Sequence, residues 1–430
     1  MLDIKFIREN LDVVKQSMVN RKKEPIDFDR LLALADERTA FKRQIDEINR
    51  KRNEASAARD IEAGKRLKDE LQAVEEKFGE VEKEYLKLLL KVPNVPSPDT
   101  PVGPDESGNK VIRQIGEKPS FGFTPKPHWE IGTDLGIINS EKAGVVSGAR
   151  FTYLMGDLVL MQYALQNLAI KILTDEEILK DIATRAGLNV STRPFVPVIP
   201  PFMMRSAVMN RMARLDPIDE RYYYEKDDLV FIGSAEHTLG PLHMDETHAE
   251  AEFPIRYVGY SPAFRREAGS YSKDTRGIIR MHHFDKVELE SFVRPEDGYL
   301  EQDFIIAIQE HFLQLLQLPY QVVAICTGDM GSPDHRQVDM ETWMPGQDAY
   351  RETNTSDYMG GYQARRLNTK IKRADGTAEP VHMNDATMVA MGRTLAAILE
   401  NYQQADGTVR VPKVLQPYMG KDVIGKSSHA

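Results

Sequence analysis

One cysteine, Cys326, stands among 430 residues. That excludes an intramolecular disulfide and any zinc site built from several cysteines, and a reducing cytoplasm is the simplest home. No run of about 18 apolar residues exists, so no membrane span is expected. Met1-Leu2-Asp3-Ile4-Lys5 lacks the charged-then-apolar build of a signal peptide. A GxxxxGKS/T loop is missing, as is a convincing GxGxxG at the start of a helix. A nucleotide, if one is used, must therefore be held by arginines and metal. Positive charge is also short, with a net charge of −10. This argues weakly against nucleic acid, because phosphate binding needs a positive face, but the distribution of charge counts for more than the sum. Apolar residues at 41% and charged residues at 28% are ordinary for a globular protein, and the length suits two or three domains.

The chain opens with Ile4, Ile7, Leu11, Val14 and Met18 at spacings of three and four, an amphipathic helix. Residues 27–57 are helical in pattern. Leu31, Leu34, Phe41, Ile45 and Ile48 lie on one heptad seam, interrupted by Arg38 and Arg52. Leu67, Leu71, Val74, Phe78, Val81, Tyr85 and Leu88 then form an a/d stripe. With a break near Asp60 to Gly64, the two helices are expected to make an antiparallel hairpin reaching roughly 40 Å at 1.5 Å per residue. Periodicity alone fits a dimerising coiled coil equally well. The charge pattern favours an arm. Arg50, Lys51, Arg52, Arg59, Lys65, Arg66 and Lys68 crowd the break, while the second helix turns acidic farther from it. A basic tip on a long lever suits a phosphate backbone; a solvated charged face is the alternative. Pro93, Pro96, Pro98, Pro101 and Pro104 mark residues 92–110 as a stiff linker. The remainder, 111–430, reads as an α+β domain with an antiparallel sheet flanked by helices. Helices are expected over 157–174, 300–317 and from about Asp385 to Tyr402. Strands are expected over 229–232, 255–260, 277–290 and 320–326.

Three clusters bear chemistry. Arg265, Arg266 and Glu267 precede a polar loop and a strand on which Phe284, Lys286 and Glu288 share a face. Their uses would be phosphate, adenine amine, adenine face and an ammonium group, although a salt-bridged exposed hairpin has the same pattern. Ser234 and Glu236, two apart after an apolar run, are placed to read an alcohol and an amine or to cap a helix. Arg393 sits inside a buried pattern and needs an anion, either a protein carboxylate or a phosphate. His282 and His283 are adjacent, point to opposite faces of a strand and make a poor chelate. Cys326 reads as a buried strand residue.

In this order and behind this arm, the clusters resemble the seryl-tRNA synthetase family over essentially the whole chain. VPVIPPFMM resembles class II motif 1, which builds a dimer interface. FRREAGSYSKDTRGIIRMHHFDKVELE resembles motif 2, and AMGRTLAAILENYQ resembles motif 3. The resemblance implies activation of L-serine by ATP with Mg2+, transfer to tRNA(Ser) and also, as the family permits, to selenocysteine tRNA. It further implies a cytoplasmic homodimer with no zinc and no membrane. Carried onto this sequence, Arg265 would grip the α-phosphate and the carboxylate, Glu267 the adenine amine, Phe284 the base and Arg393 the γ-phosphate. Arg266, Thr353 and Asn354 would complete the ATP site. Glu352 and Thr355 would hold magnesium. Ser234, Ala235, Glu236, Glu288, Asp385 and Thr387 would bind serine together with Arg265. Arg50, Lys51, Arg52, Lys65, Arg66 and Lys68 would meet the tRNA.

The sequence departs from the family around the amino-acid side chain. Ser234 replaces the usual threonine, Asp385-Ala386-Thr387 replaces Asn-Gly-Ser or Asn-Ala-Thr, and the Ser-Cys-Ser-Asn run becomes Asn354-Thr355-Ser356-Asp357-Tyr358. A rival reading is a paralogue of altered amino-acid or acceptor specificity. A non-catalytic scaffold would be expected to have lost Arg265, Glu267, Glu352 or Arg393, and all four are present.

Overall fold

The computed structural model describes residues 1–267 and 276–426. The polar loop expected after Glu267, 268–275, lies outside the described residues. The chain divides into two compact units, Met1–Val95 and Pro96–Ala430.

The first unit is helical: α1 (Ile4–Glu9), α2 (Leu11–Asn20), α3 (Phe28–Ala57) and α4 (Ile61–Leu89). Asp27 caps α3 by accepting from the Arg30 amide, and Asp60 caps α4 by accepting from the Ala63 amide. Between them Arg59 adopts a left-handed φ of 55°. The amides of Asp60 and Arg59 close α3 onto the carbonyls of Ala55 and Ser56, a Schellman ending with arginine where glycine is usual. The break is therefore Ala58–Asp60 rather than Asp60–Gly64. Gly64 stays helical because one glycine costs a helix only about 1 kcal/mol, less than the cap and the closure hold. The 30 residues of α3 give an arm of about 45 Å. Leu31, Leu34 and Ile48 of α3 and Leu67, Leu71 and Tyr85 of α4 are buried on the expected seam. Arg38, the apparent interruption, pairs with Glu82 and lies 5.1 Å from the Tyr85 ring centroid.

The second unit is built on an eight-stranded sheet. In chain order its strands are β1 (Lys110–Ile115), β2 (Val196–Val198), β3 (Ile255–Phe264), β4 (His283–Val293), β5 (Tyr320–Ala324), β6 (Arg336–Met344), β7 (Ala349–Gly360) and β8 (His382–Ala390). Across the sheet they run β1-β5-β6-β7-β8-β4-β3-β2, antiparallel except for β2 on β3. Helices α5 (Asp157–Thr174), α6 (Gly298–Leu315) and α7 (Met391–Asn401) supply the apolar faces that close its core.

Several expected boundaries move. The residues from Pro96 onward belong to the second unit. Ser97 donates its amide to the His335 carbonyl at 2.6 Å, the Thr327 amide reaches the Pro101 carbonyl at 2.9 Å, and the Cys326 thiol reaches the Asp105 carbonyl at 3.1 Å. The strand expected from Gly277 begins only at His283. The helix expected from Asp385 begins at Met391, because 382–390 is a strand. Met388 and Met391 sit at a spacing that suits a helix, while Asp385 and Thr387 sit at one that suits a strand; partners on both sides decided for the sheet.

Candidate functional site

Three central strands present side chains to one cavity of about 230 Å³. From β4 come Phe284, Lys286 and Glu288; from β8, Asp385 and Thr387; from β7, Glu352, Thr355 and Asp357. Glu352 and Thr355 are three apart and should face opposite ways on a regular strand. A bulge corrects this, since Met340 pairs with Asn354 but Glu341 pairs with Glu352. The extra residue returns Glu352 to the face of Thr355 and Asp357. Thr353 and Asn354 are consequently turned away and do not line the cavity. Thr353 Oγ1 lies 2.8 Å from Thr342 Oγ1, and Asn354 Nδ2 donates to the Met388 carbonyl at 2.6 Å. A second bulge, at Val287/Glu288 against Val389/Thr387, places Thr387 opposite Glu288.

The wall opposite the sheet comes from Ile278–Met281 and the start of α7. Gly277 turns with φ +77°, and a Cβ there would stand 2.0 Å from His128 Nε2. At Gly392 a Cβ would meet the Ile278 carbonyl oxygen at 2.4 Å. This close approach lets Arg393 enter the cavity, where Nη1 lies 2.7 Å from Glu352 Oε1. The buried pattern around Arg393 thus opens onto the cavity rather than into the core. Arg265 donates Nε to the Gly233 carbonyl at 3.1 Å, and its guanidinium lies 5.5 Å from the Phe284 ring centroid. Glu267 also lines the cavity, paired with Arg280 at 2.6 Å.

Three further expected residues sit elsewhere. Arg266 is exposed and 6.0 Å from the Tyr222 ring centroid, because side chains alternate where β3 runs out. Ala235 is buried behind the cavity wall. Ser234 is fully buried and accepts from Lys286 Nζ at 3.1 Å, so it braces the site from behind. Ser234 and Glu236 do not share a strand; they flank the turn into the short helix Glu236–Leu239, and only Glu236 lines the cavity.

The far end of the cavity is dominated by a residue that the sequence did not single out. Arg214 reaches Asp385 at 3.1 Å, Asp334 at 3.8 Å and Glu236 at 4.0 Å. Asp357, Asp385 and Glu290 are directly opposite one another across β7, β8 and β4. Like charges so placed repel, and burial sharpens the repulsion. Burial together with Asp334 and Asp385 pushes Asp357 well above the usual carboxylate range. Burial together with Asp385 and Glu236 does the same to Glu290, and Asp385 is pushed up to about 7. Burial opposes the charge on Arg214, but the surrounding carboxylates outweigh it and hold the guanidinium charged. Glu290 continues the period-two stripe of Phe284, Lys286 and Glu288 and was legible in that sense. Arg214, in an irregular segment, carried no such signal.

Two further carboxylates differ in character. Glu288 is pushed up to about 8 by burial, only partly offset by Lys286 at 2.6 Å. Burial works against charge on Glu236 too, but His237, Lys286 and Arg214 more than compensate, so Glu236 stays ionised. Burial and the nearby Arg221 bring His237 itself down to about 3, which leaves Lys286 and Arg214 to hold Glu236 at neutral pH. Glu352 is lowered despite burial, chiefly by Arg393, Lys286 and Arg265. The cavity therefore has a cationic mouth and an acidic floor. A larger cavity, about 700 Å³, lies elsewhere against Phe253, Pro254 and Leu300; its lining also carries charge, but Arg256 is committed to Glu301 at 2.6 Å and Arg373 to Glu296 at 2.7 Å.

Two family models match. Residues 1–96 fit the seryl-tRNA synthetase N-terminal domain, and residues 221–402 fit the tRNA synthetase class II core domain (G, H, P, S and T). A serine–tRNA ligase of Bacillus subtilis (strain 168) is 39% identical over 442 residues, covering 99% of this chain and 100% of the relative. One of Thermodesulfovibrio yellowstonii is 40% identical over 444 residues, covering 99% and 100%. The crystal structure of seryl-tRNA synthetase from Pyrococcus horikoshii complexed with ATP superposes with a TM-score of 0.84 at 33% identity, covering all of both chains.

Proposed function

The chain belongs to the seryl-tRNA synthetase family, and from that premise we propose how its cavity performs the chemistry. Its activity is the ATP-dependent ligation of serine to tRNA, a class II aminoacyl-tRNA synthetase reaction. In the first step the serine carboxylate attacks the α-phosphorus of ATP and pyrophosphate leaves. In the second, the terminal ribose hydroxyl of tRNA attacks the adenylate carbonyl and AMP leaves. A carboxylate is already a nucleophile, so the first step needs no protein base. Positioning and charge neutralisation carry it.

One observation supports this assignment above the others: a single cavity gathers Arg265, Arg393 and Phe284 together with the buried carboxylates Glu236, Glu288 and Asp385. At the mouth, Arg265 and Arg393 receive the α- and γ-phosphates, Phe284 the adenine face and Glu267 the adenine amine, once Glu267 shares or leaves Arg280. Glu236 and Glu288 take the serine ammonium, which supplies the cation that the buried Glu288 lacks. Thr387 and the Arg214–Asp385 pair close the side-chain end. For magnesium, the hard oxygens of Glu352 and Thr355 on one face suit the ion, and Asp339, raised well above its usual range by burial and the nearby Glu352, stands opposite Thr355 on the neighbouring strand. Bound with ATP, the ion would neutralise phosphate charge.

The exposed basic residues Arg50, Lys51, Lys65, Arg66 and Lys68, with Arg52 half-buried, give the arm its tRNA-facing tip. A homodimer through motif 1 is supported by Val196, Ile199 and Phe202, which are 55%, 84% and 40% exposed in one short stretch. Cytoplasmic residence is supported by the single buried thiol. No helix among the described residues is long and apolar enough to cross a membrane.

The test is ATP–pyrophosphate exchange run side by side with serine, threonine, alanine, glycine and cysteine. Serine should exceed the rest. A different preferred amino acid would overturn the roles given to Thr387 and the Arg214–Asp385 pair.

A further inference from the structure

Away from the cavity, a turn and a short strand bring His243, Glu246 and His248 together, and one ligand atom from each lies within 4.8 Å of the others. Glu246 Oε2 is the focus, 2.9 Å from His243 Nδ1 and 3.2 Å from His248 Nε2. Zinc bonds of about 2.0–2.1 Å imply tetrahedral ligand separations of roughly 3.3 Å, so both histidine–Glu246 spacings already stand near the required value.

The far nitrogens are held as well. His243 Nε2 lies 2.8 Å from the Tyr257 hydroxyl, and His248 Nδ1 lies 3.2 Å from Glu252 Oε2. Such outer partners orient the imidazoles of metal sites. The backbone is pinned too. The Thr369 hydroxyl donates to the His243 carbonyl at 3.0 Å, and the Lys370 amide donates to the Glu246 carbonyl at 3.0 Å.

His248 supplies the decisive detail. Its Nε2 is buried and makes no hydrogen bond despite facing Glu246. Both ring nitrogens therefore face carboxylates, yet a neutral imidazole has a single N–H. If Nδ1–H is given to Glu252, the Nε2 lone pair points at an oxygen lone pair, an arrangement that a metal cation bound between them resolves. We infer that His243 Nδ1, His248 Nε2 and a Glu246 oxygen form a binding site for a divalent transition metal of the zinc class. Two imidazoles and one carboxylate suit that class, and the 53% exposure of the Glu246 side chain leaves a path for the ion and room for a water as fourth ligand. The expectation of no zinc rested on the cysteine count and on the family resemblance, and this site uses no cysteine. Its role is to tie the strand Thr247–Ala249 to the turn Gly240–His243.

The experiment uses the full-length protein stripped with chelator, titrated with Zn2+ by calorimetry and with Co2+ by visible absorption. About one ion per chain should bind, with ligand-field bands in the cobalt form. His248→Gln should weaken binding by about 100-fold or more and Glu246→Gln by at least about 10-fold, while serine-dependent exchange continues in both. If His248→Gln fails to fold, the exposed Glu246→Gln alone decides. Absence of binding, with His248 doubly protonated by NMR, would overturn the site, as would affinity unchanged in both variants. Neither result would touch the assignment of the cavity, which exchange reads separately.

Discussion

At the scale of single residues, the cavity depends on charges that balance in place. Arg214 is a cation that faces Asp334, Asp357 and Asp385 together. Arg214→Met leaves those carboxylates without it and should destabilise the protein by about 3–5 kcal/mol, read by urea denaturation. Asp385→Asn should be far milder, since burial already pushes Asp385 up to about 7. Glu288 behaves differently. Its carboxyl, pushed up to about 8, is protonated in the empty cavity at neutral pH. The serine ammonium needs the ionised form, so kcat/KM for serine should rise with pH and level off above about 8. Glu288→Gln should remove that limb. The stability effect has the opposite sense. A raised carboxyl pKa contributes stability fully below the unfolded-state value and loses it as pH rises through the folded value. The Tm of Glu288→Gln should therefore gain on the wild type from about pH 4.5 to about pH 8.

At the scale of elements, α3 and α4 act as a lever whose tip is made by its turn. Arg59 holds a left-handed backbone that glycine adopts without penalty, and a non-glycine residue kept there points to function. Arg59→Gly should stabilise the arm slightly while raising KM for tRNA. Deleting about residues 40–80 should leave adenylate formation intact and abolish tRNA charging, as separate exchange and aminoacylation assays would show. Loss of both in a folded truncation would count against the division of labour. The arm was legible in outline because heptad periodicity and caps are local signals. Arg38, which read as a flaw in the seam, is half-buried and paired with Glu82 beside Tyr85, a contact that no single-helix pattern reveals.

For the whole molecule, the proposed dimer rests on an apolar strip that the chain leaves uncovered. Ile199→Asp should shift sedimentation toward monomer and lower exchange activity, whereas Val145→Asp, equally exposed but outside motif 1, should do neither. Family, helical arm and antiparallel sheet could be read from the chain, because composition, alternation and motif order are carried along it. The tertiary structure alone decided which side chains converge. Two bulges set Glu352 beside Thr355 and Thr387 opposite Glu288 while turning Thr353 and Asn354 away. Arg214, from an irregular segment, became the counter-ion of a carboxylate row, and His243 and His248 met at Glu246. Register and convergence arise from hydrogen-bond ladders and packing between distant segments, and no local spacing encodes them.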